Sequence, residues 1–461
     1  MPGEKQGKGK GKADAQQRAA RPSQPDPAAD AAAEGQPAKL AERLARRAAN
    51  QLERETRRVA KQAERAENKA RASAAKAAKP EAGKAAVPKP QSGAKDKPKA
   101  GRKSDAQAKP LPAGAPPAGR PVVAPEPVRQ SAGTLRFNIL IVGQAGRLGL
   151  EAVLFAASLR RNAPGWPGRL IVAEPQPEAA WAGVQTRMPD AVRDALSGFG
   201  AEILPLTATR FGKSYPYGNK IEALSLLPAG EPFIFFDSDT LITGDLAALP
   251  FDFSRPSASM RRQGTWPEPP LYGPGYGDIW KSLYDRFGLD FDSSLDVNQP
   301  DEHWERYLYF NAGWFFGPDP QEFGRRFLEY ALAIRNEPGD ALACQSLDPW
   351  LDQVALPLII HSLGGGRPGP ELAGLDGDVT CHYRNLSLLY GRESDAVLAL
   401  IEELAAGPVV APLLRDDEAA RRLIYGGEGR SLLRPMFVDE IPPSTEQAMR
   451  NRLRREGLWF R

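Results

Sequence analysis

Aromatic side chains and isoleucine are absent from the first 130 residues of this 461-residue chain, although the whole sequence holds 18 Phe, 8 Trp and 11 Tyr. A segment without such side chains does not bury enough apolar surface to form a packed core. Only two cysteines are present, which excludes a disulfide framework. No apolar run approaches the roughly 20 residues of a membrane-spanning helix, and none follows the basic N-terminus as in a signal peptide. We therefore expect a cytoplasmic protein.

The charge is divided at the same boundary. Residues 1–130 hold 29 Lys and Arg against 14 Asp and Glu, a net charge of +15, whereas the remaining residues carry −11. The first part is rich in Ala, Lys and Pro, which predicts a disordered basic region, with one helix at about 39–79 where Pro and Gly are missing. A basic arm of this kind favours an anionic membrane surface as partner, hence a peripheral membrane location. Without aromatics for base stacking, the sequence argues against nucleic acid.

Residues 131–461 show the alternation of an α/β domain. Short apolar runs alternate with segments of helical periodicity, which predicts a parallel sheet with helices on its faces. The predicted strands are Phe137–Val142, Leu170–Ala173, Glu202–Leu206 and Phe233–Phe236, and the predicted helices are Leu148–Arg160, Asp190–Phe199 and Asn219–Leu227.

The turn after the first strand is glycine-rich. Gly143, Gly146 and Gly149 are spaced as GxxGxxG, not as the GxGxxG of dinucleotide-binding turns. Glu174, the acidic residue nearest to the expected place, lies somewhat too far along the chain. The pattern favours an ordinary tight turn that lines a nucleotide, with Gly143 as a candidate donor-binding residue.

Two carboxylates follow the last predicted strand. Asp237 and Asp239 flank Ser238 directly after Phe233–Phe236, so an extended chain points both carboxylates the same way. Two hard oxygen ligands on one side bridge a divalent cation and a substrate phosphate. Asp290-Phe291-Asp292 and Asp376-Gly377-Asp378 have the same spacing but lie in predicted loops. A capped turn that closes the strand is the structural alternative for Asp237 and Asp239.

In this order, the elements resemble the nucleotide-sugar glycosyltransferases of the GT-A fold, and family 8 most closely. The resemblance covers residues 137–390 and implies a Rossmann-type mixed sheet flanked by helices. A helical C-terminal extension is expected beyond it. The segments that match are the strand with its acidic pair, Lys220 on the preceding helix, Asn311-Ala312-Gly313 in a strand, Asp352-Gln353 at a helix start, and His382-Tyr383.

The resemblance also implies roles for these residues. Mn²⁺ or Mg²⁺ is expected at Asp237, Asp239 and His382, and Asp352 and Gln353 are expected at the transferred sugar. The other donor-binding candidates are Gly143, Lys220, Ser238 and Asn311, besides the acidic pair itself. The predicted reaction moves a sugar from a nucleoside-diphosphate sugar to a glycan, lipid or protein acceptor, with a glycan or glycolipid as the expected partner.

The sequence departs from the family in three places. No Lys-Pro-Trp follows His382, and Arg384 is the candidate substitute for that lysine charge. Val354 stands where the family has a second Asp, and a segment rich in Gly, Pro and Trp is inserted between Ser254 and His303. Two alternatives therefore stay open. One is a catalytically inactive nucleotide-sugar-binding module, and the other is a scaffold or nucleic-acid-associated protein that acts through its basic arm.

Beyond the resemblance, apolar periodicity predicts two helices, Asp395–Ala405 and Ser444–Arg455. An aromatic tail, Trp459-Phe460, follows the second helix. We expect this tail to pack on the domain rather than bind a membrane.

Overall fold

The computed structural model describes residues 136–262, 266–439 and 445–460. The predicted basic region 1–130 and its helix at 39–79 lie outside the described residues. The strands are β1 Asn138–Val142, β2 Leu170–Pro175, β3 Ala201–Leu206, β4 Phe233–Phe236, β5 Thr240–Ile242, β6 Ser257–Ser259, β7 Asn311–Gly317 and β8 Thr380–His382. The α-helices are α1 Arg147–Asn162, α2 Asp190–Gly198, α3 Asn219–Glu222, α4 Tyr276–Arg286, α5 Pro320–Asn336, α6 Leu351–Ser362, α7 Leu386–Arg392, α8 Asp395–Ala406, α9 Ala411–Leu414, α10 Glu418–Ala420 and α11 Glu446–Arg455. None of the helices in these ranges is long and apolar enough to span a lipid bilayer.

Six strands form one mixed sheet in the order β3-β2-β1-β4-β7-β6. β1 is parallel to β2 and β4, and β2 is parallel to β3, while β7 runs antiparallel to both β4 and β6. The carboxyl ends of β1 and β4 therefore lie at the same edge, where ligands bind in sheets of this kind. The predicted mixed α/β sheet with flanking helices is confirmed, and the antiparallel half lies beyond the strands that periodicity had indicated.

Both faces of the sheet are covered. In β4, Ile234 and Phe236 belong to one apolar core, while Phe233 and Phe235 belong to the other. Since all four are buried, their sequence reads as a continuous apolar run rather than an alternating one. α1 packs in the first core, and α5 and α6 pack in the second.

A small second sheet pairs β5 with β8 in antiparallel register. Thr240 lies opposite His382, and Leu241 lies opposite the buried Cys381. This pairing brings His382 beside the turn that follows β4. The chain segment between them contains β6, β7 and the helices α4 to α6.

Most element boundaries agree with the periodicity within two residues. The segment predicted as one helix over 219–227 is instead a single α-turn, α3, continued by a tighter 3-10 turn at Ala223–Leu226. α4 was not predicted, because it lies inside the Gly- and Pro-rich insertion. Its buried residues Ile279, Trp280, Leu283 and Tyr284 nevertheless have helical spacing.

The C-terminal extension belongs to the first apolar core. Leu398 and Ile401 of α8 are fully buried there, together with Leu453 of α11. In the tail, Leu458 and Phe460 are buried, and the Phe460 carbonyl accepts a 2.7 Å hydrogen bond from the side-chain amide of Asn385. The prediction that the tail packs on the domain is confirmed.

Candidate active site

The turn after β4 is fixed to two neighbouring strands. The backbone N–H of Asp237 donates to the Gly313 carbonyl of β7 at 2.8 Å, and the Asp239 carbonyl accepts from the Tyr383 N–H at 3.0 Å. His382, at the end of β8, has its Nε2 3.1 Å from Asp239 Oδ1 and 3.8 Å from Asp237 Oδ2. The two carboxylates and the imidazole predicted from sequence are therefore brought together.

This group fits a divalent cation. Asp237, Asp239 and His382 each offer one ligand atom, and these atoms lie within 4.8 Å of one another. Two carboxylate oxygens and one imidazole nitrogen form a donor set suited to Mn²⁺. A glycine at 313 leaves room for the ring, because a Cβ on Gly313 would lie 2.3 Å from His382 Nδ1. The imidazole is thus packed against bare backbone on the side away from Asp239.

The charge of His382 acts on Asp239. Burial alone raises the pKa of this carboxyl, but the charge and hydrogen bond of His382, with the charge of Arg147, outweigh it and lower the pKa to about 2. The carboxylate is therefore ionised throughout the physiological range. An ionised form is the one that ligates a metal.

Lys220 lies at the floor of the site. Its Nζ is 2.8 Å from Asp237 Oδ1, 3.2 Å from Asp352 Oδ2 and 3.0 Å from the Ala312 carbonyl. These three contacts use the three N–H donors of the ammonium. Burial alone lowers the pKa of Lys220, but the two carboxylates outweigh it and raise that pKa. In the structure Lys220 joins Asp237 to Asp352, while its predicted contact with a donor stays a prediction.

Asp352 and Gln353 form the start of α6. Asp352 is buried, and its Oδ1 accepts a 2.7 Å hydrogen bond from the Tyr215 hydroxyl, which in turn accepts from the Asp352 N–H at 3.0 Å. The Gln353 Oε1 accepts a 2.8 Å hydrogen bond from the Tyr309 hydroxyl. Two buried tyrosines therefore fix the orientation of both side chains, and Gln353 keeps its amide N–H groups for another partner.

Of the three remaining donor-binding candidates, one lines the cleft and two do not. Asn311 lines the cleft, where its amide N–H donates to the Arg261 carbonyl at 2.9 Å and its Oδ1 accepts from the Gly313 N–H at 2.9 Å. Gly143 and Ser238 are described but are not among the residues that line the cleft. A Cβ on Gly143 would lie 2.6 Å from Val172 Cγ1, so packing alone accounts for this glycine.

The predicted residues share one cleft of about 520 Å³. Asp237, Asp239, His382, Lys220 and Asp352 line it, as do Gln353 and Asn311. The residues of the lining that sequence reasoning did not assign are Arg147, Tyr217, Arg262, Ala312, Pro349, Trp350, Glu446, Gln447 and Arg450.

Some of these residues lie near sequence motifs and others do not. Arg147 follows the glycine-rich turn, Tyr217 lies close to Lys220, and Trp350 lies close to Asp352. Glu446 and Arg450 come from α11, outside the segment of the resemblance, so only the folded chain shows them at the site.

The other Asp-x-Asp segments have structural roles or lie elsewhere. Asp376 accepts hydrogen bonds from the Trp314 indole at 2.8 Å and the Ser259 hydroxyl at 2.6 Å. Glu174, the acidic residue nearest to the place expected in a dinucleotide site, is buried and accepts from the Met188 N–H at 2.9 Å and from Arg193. The glycine-rich turn is therefore not accompanied by the acidic group of a dinucleotide site.

Residues 139–364 match the family described as the Rhodobacterales glycosyltransferase domain. The chain carries a glycosyltransferase domain. The match contains the turn with Asp237 and Asp239, the strand with Asn311 and the start of α6, whereas His382 and α11 follow it. The glycosyltransferase domain has the mixed sheet that the GT-A resemblance implied, and membership of family 8 stays a prediction.

Several solved glycosyltransferase structures are similar to this chain at low identity. The galactosyltransferase LgtC, solved with donor and acceptor sugar analogues, is 14% identical over 59% of this chain and 97% of its own, with a TM-score of 0.35. GlyE of Streptococcus pneumoniae TIGR4 is 11% identical over 61% of this chain and 63% of its own, with a TM-score of 0.33. The bifunctional WbbM is 14% identical over 62% and 52%, with a TM-score of 0.31. No curated protein sequence matches the chain.

Proposed function

We propose that this protein is a metal-dependent glycosyltransferase that takes its sugar from a nucleoside-diphosphate sugar. The observation that carries the proposal is the convergence of Asp237, Asp239 and His382 in one cleft with Asp352 and Gln353. The turn after β4, the end of β8 and the start of α6 supply these residues from widely separated parts of the chain. A turn that only closed β4 would not require the imidazole or the helix start.

Asp237, Asp239 and His382 would hold Mn²⁺ or Mg²⁺. When bound there, the cation supplies positive charge for the nucleoside diphosphate as it leaves. Arg384 is the chain's own cation for the same phosphates, in place of the lysine that the family carries. It lines the cleft, and its backbone carbonyl accepts a 2.9 Å hydrogen bond from Arg147, so two guanidinium groups lie on this side of the site.

The transferred sugar would lie beside Gln353. The Asp352 carboxylate is engaged by Lys220 and the Tyr215 hydroxyl, whereas the amide N–H groups of Gln353 have no partner within the described ranges and could contact a sugar hydroxyl. In this proposal Gln353 orients the sugar and the buried negative charge of Asp352 stabilises the oxocarbenium-like transition state. Lys220 keeps that carboxylate in place.

The proposed acceptor is a glycan or glycolipid at a membrane surface, reached from the cytoplasm. The support is the charge of residues 1–130, since a +15 segment attracts anionic lipid headgroups while the rest of the chain carries −11. The full-length protein should sediment with vesicles of phosphatidylserine and phosphatidylcholine but not with phosphatidylcholine alone. Binding that persisted in 0.5 M salt, roughly the regime where surface charges are screened, would contradict an electrostatic arm.

Calorimetry with UDP and Mn²⁺ tests the proposed reaction. The wild-type protein should bind UDP only with Mn²⁺ present, and the Asp239→Asn variant should lose at least about tenfold in affinity, as expected for removal of a metal ligand. Asp292→Asn is the matched control, because it changes the same residue type in an exposed Asp-x-Asp segment. Hydrolysis of UDP- and GDP-sugars by the wild type then identifies the donor. Equal UDP binding by wild type and Asp239→Asn would overturn the metal site.

A further inference from the structure

Five cationic side chains of Lys and Arg line the cleft, and four of them have carboxylate partners. Lys220 pairs with Asp237 and Asp352, Arg147 pairs with Glu151 at 3.0 Å, and Arg384 and Arg450 pair with Glu446. The fifth cation is Arg262, which forms no ion pair within the part of the chain that the structure describes. This difference singles out Arg262 among the cleft residues.

Aromatic rings hold the Arg262 guanidinium. Its Cζ lies 4.3 Å from the centre of the Trp304 ring and 5.7 Å from the centre of the Tyr309 ring. Cation–π contacts of this kind orient a guanidinium, but they provide no hydrogen-bond acceptor for the N–H donors that lie in the guanidinium plane. The Nη1 atom is buried and has no hydrogen-bond partner among the residues that the structure describes.

The arrangement is costly for a free protein. Burial lowers the pKa of Arg262 to about 10, and the opposing charge of Glu305 does not compensate for it, so the surroundings disfavour the charged form. A buried guanidinium N–H without an acceptor loses its hydration and gains nothing in exchange. An anion is the ligand that removes both costs, because a carboxylate or phosphate matches the guanidinium fork with two hydrogen bonds.

The position of Arg262 indicates which part of a substrate it meets. Tyr309, one of the two rings beneath the guanidinium, donates to Gln353. Asn311 donates to the carbonyl of Arg261, the residue before Arg262. Through Tyr309 the guanidinium is thus connected to Gln353, the side chain proposed to contact the sugar.

We propose that Arg262 binds an anionic substituent, a carboxylate or a phosphate, on a sugar that occupies the cleft beside Gln353. This inference rests on the proposed function for the presence of a sugar in the cleft. It adds a substrate class, because a site with a preorganised and unpaired guanidinium selects an acidic sugar over its neutral counterpart. The acidic sugar is either the one transferred from the donor or the one that accepts it.

Free sugars test the anion site without a nucleotide. Ligand-observed NMR should show that glucuronate and glucose 6-phosphate bind the full-length protein, while methyl glucoside binds at least about tenfold more weakly, as expected for loss of a charge-assisted pair. Arg262→Gln should abolish the preference, and Arg325→Gln, an exposed arginine on α5, should leave it unchanged. Equal binding of the three sugars by the wild type, or a preference that survives Arg262→Gln, would overturn the proposal.

Two further assays distinguish the source of the anion. If the donor carries it, hydrolysis of UDP-glucuronate should exceed that of UDP-glucose, and Arg262→Gln should bring the ratio of the two kcat/KM values close to one. If the acceptor carries it, transfer to a nitrophenyl glucuronide should exceed transfer to the glucoside, and the same variant should remove that difference. A protein that binds the free acidic sugars through Arg262 but never binds UDP with Mn²⁺ would refute the proposed function and leave the anion site standing.

A purely structural role for Arg262 has a different signature. Arg262→Met keeps the apolar stem and removes an unpaired buried charge, so its Tm should equal or exceed that of the wild type while acidic-sugar binding is lost. If Arg262 only supports the fold, Tm should fall and kcat/KM should decrease by the same factor for acidic and neutral substrates. Should either neutral variant fail to fold, Arg262→Lys retains the charge and should weaken the acidic preference without removing it.

Discussion

The Lys220 ammonium lies 2.8 Å from the Asp237 carboxylate and is almost completely buried. The same nitrogen reaches Asp352 at 3.2 Å, so one side chain connects the turn after β4 with the first turn of α6. A proposed metal ligand and a proposed catalytic carboxylate therefore share a cation. The contacts of Lys220 therefore hold the Asp237 and Asp352 carboxylates close to each other.

Lys220→Met should damage both stability and catalysis. Removal of the ammonium leaves Asp352 as a buried carboxylate without a charge partner, which costs on the order of 3 kcal/mol. We expect a lower free energy of unfolding in urea, and a fall in kcat of at least about a hundredfold because both carboxylates lose their fixed positions. Urea denaturation and donor hydrolysis measure the two effects.

Lys281→Met is the matched control. Lys281 pairs with Asp285 one turn away on α4, with both side chains more than half exposed, so its loss should be nearly neutral. Lys220→Met combined with Asp352→Asn should regain part of the stability, because the unpaired charge is then gone. A double variant no more stable than Lys220→Met would show that the charge pair is not the cause.

Gly313→Ala should weaken metal binding although the three proposed ligand residues themselves are not mutated. A methyl group at this position would lie 2.3 Å from His382 Nδ1, so the imidazole has to rotate or shift. Displacement of a ligand side chain typically costs about 10- to 100-fold in metal affinity. Mn²⁺ titration followed by calorimetry measures this loss. Gly198→Ala, where nothing lies within 4 Å of the new methyl group, should bind Mn²⁺ like the wild type, and an unchanged affinity in Gly313→Ala would refute the steric argument.

The sequence predicted the first half of the fold because its signals are local. Phe233–Phe236 is an apolar run whose four residues are all buried, so periodicity and length identify it as a central strand. The acidic pair follows at the strand end without intervening residues. Such features depend on neighbours in the chain, and the structure changes little about them.

The rest of the site depends on contacts between distant residues. His382 reaches Asp239 only because β8 pairs with β5 across about 140 residues, and no local pattern encodes that register. The insertion concealed α4, since its flanking Gly and Pro residues indicate loop. Nothing in the sequence marks Arg262, because its distinguishing features are the aromatic rings beneath the guanidinium and the lack of an ion pair among the described residues, and both depend on the folded chain.

Arg384 should contribute to UDP binding and contribute little to stability. Its φ of +65° lies in the left-handed region, which costs a side-chain-bearing residue roughly 1 kcal/mol or more. Arg384→Gly removes that strain, while the greater freedom of glycine in the unfolded chain opposes the gain. The variant also loses the 3.7 Å pair with Glu446, but Glu446 keeps its pairs with Arg392 and Arg450. We therefore expect a Tm close to that of the wild type and at least about a tenfold loss of UDP affinity, from one lost charge-assisted contact.

Ala179→Gly is the control that separates the backbone effect of Arg384→Gly from the loss of its charged side chain. Ala179 also has a positive φ, of 46°, but it does not line the cleft, so this variant reports the backbone effect alone. Its UDP affinity should match that of the wild type. If Arg384→Gly bound UDP normally, the diphosphate charge would have to be met by another residue.

Acid should remove a specific part of the stability through Asp239. The pKa of this carboxyl is lowered from its ordinary value of 3.8 to about 2 in the folded protein, because His382 and Arg147 outweigh the effect of burial. A depressed folded-state pKa contributes stability that is fully present above the unfolded value and is lost as the pH falls through the folded value. In metal-free protein kept in EDTA, the difference in unfolding free energy between wild type and Asp239→Asn should shrink as the pH falls from about 4 to about 2, between the unfolded and folded pKa values of Asp239. Other carboxylates, such as Glu446, titrate in both proteins and cancel in this difference. Parallel stability curves down to pH 2 would show that the folded environment does not favour the Asp239 carboxylate.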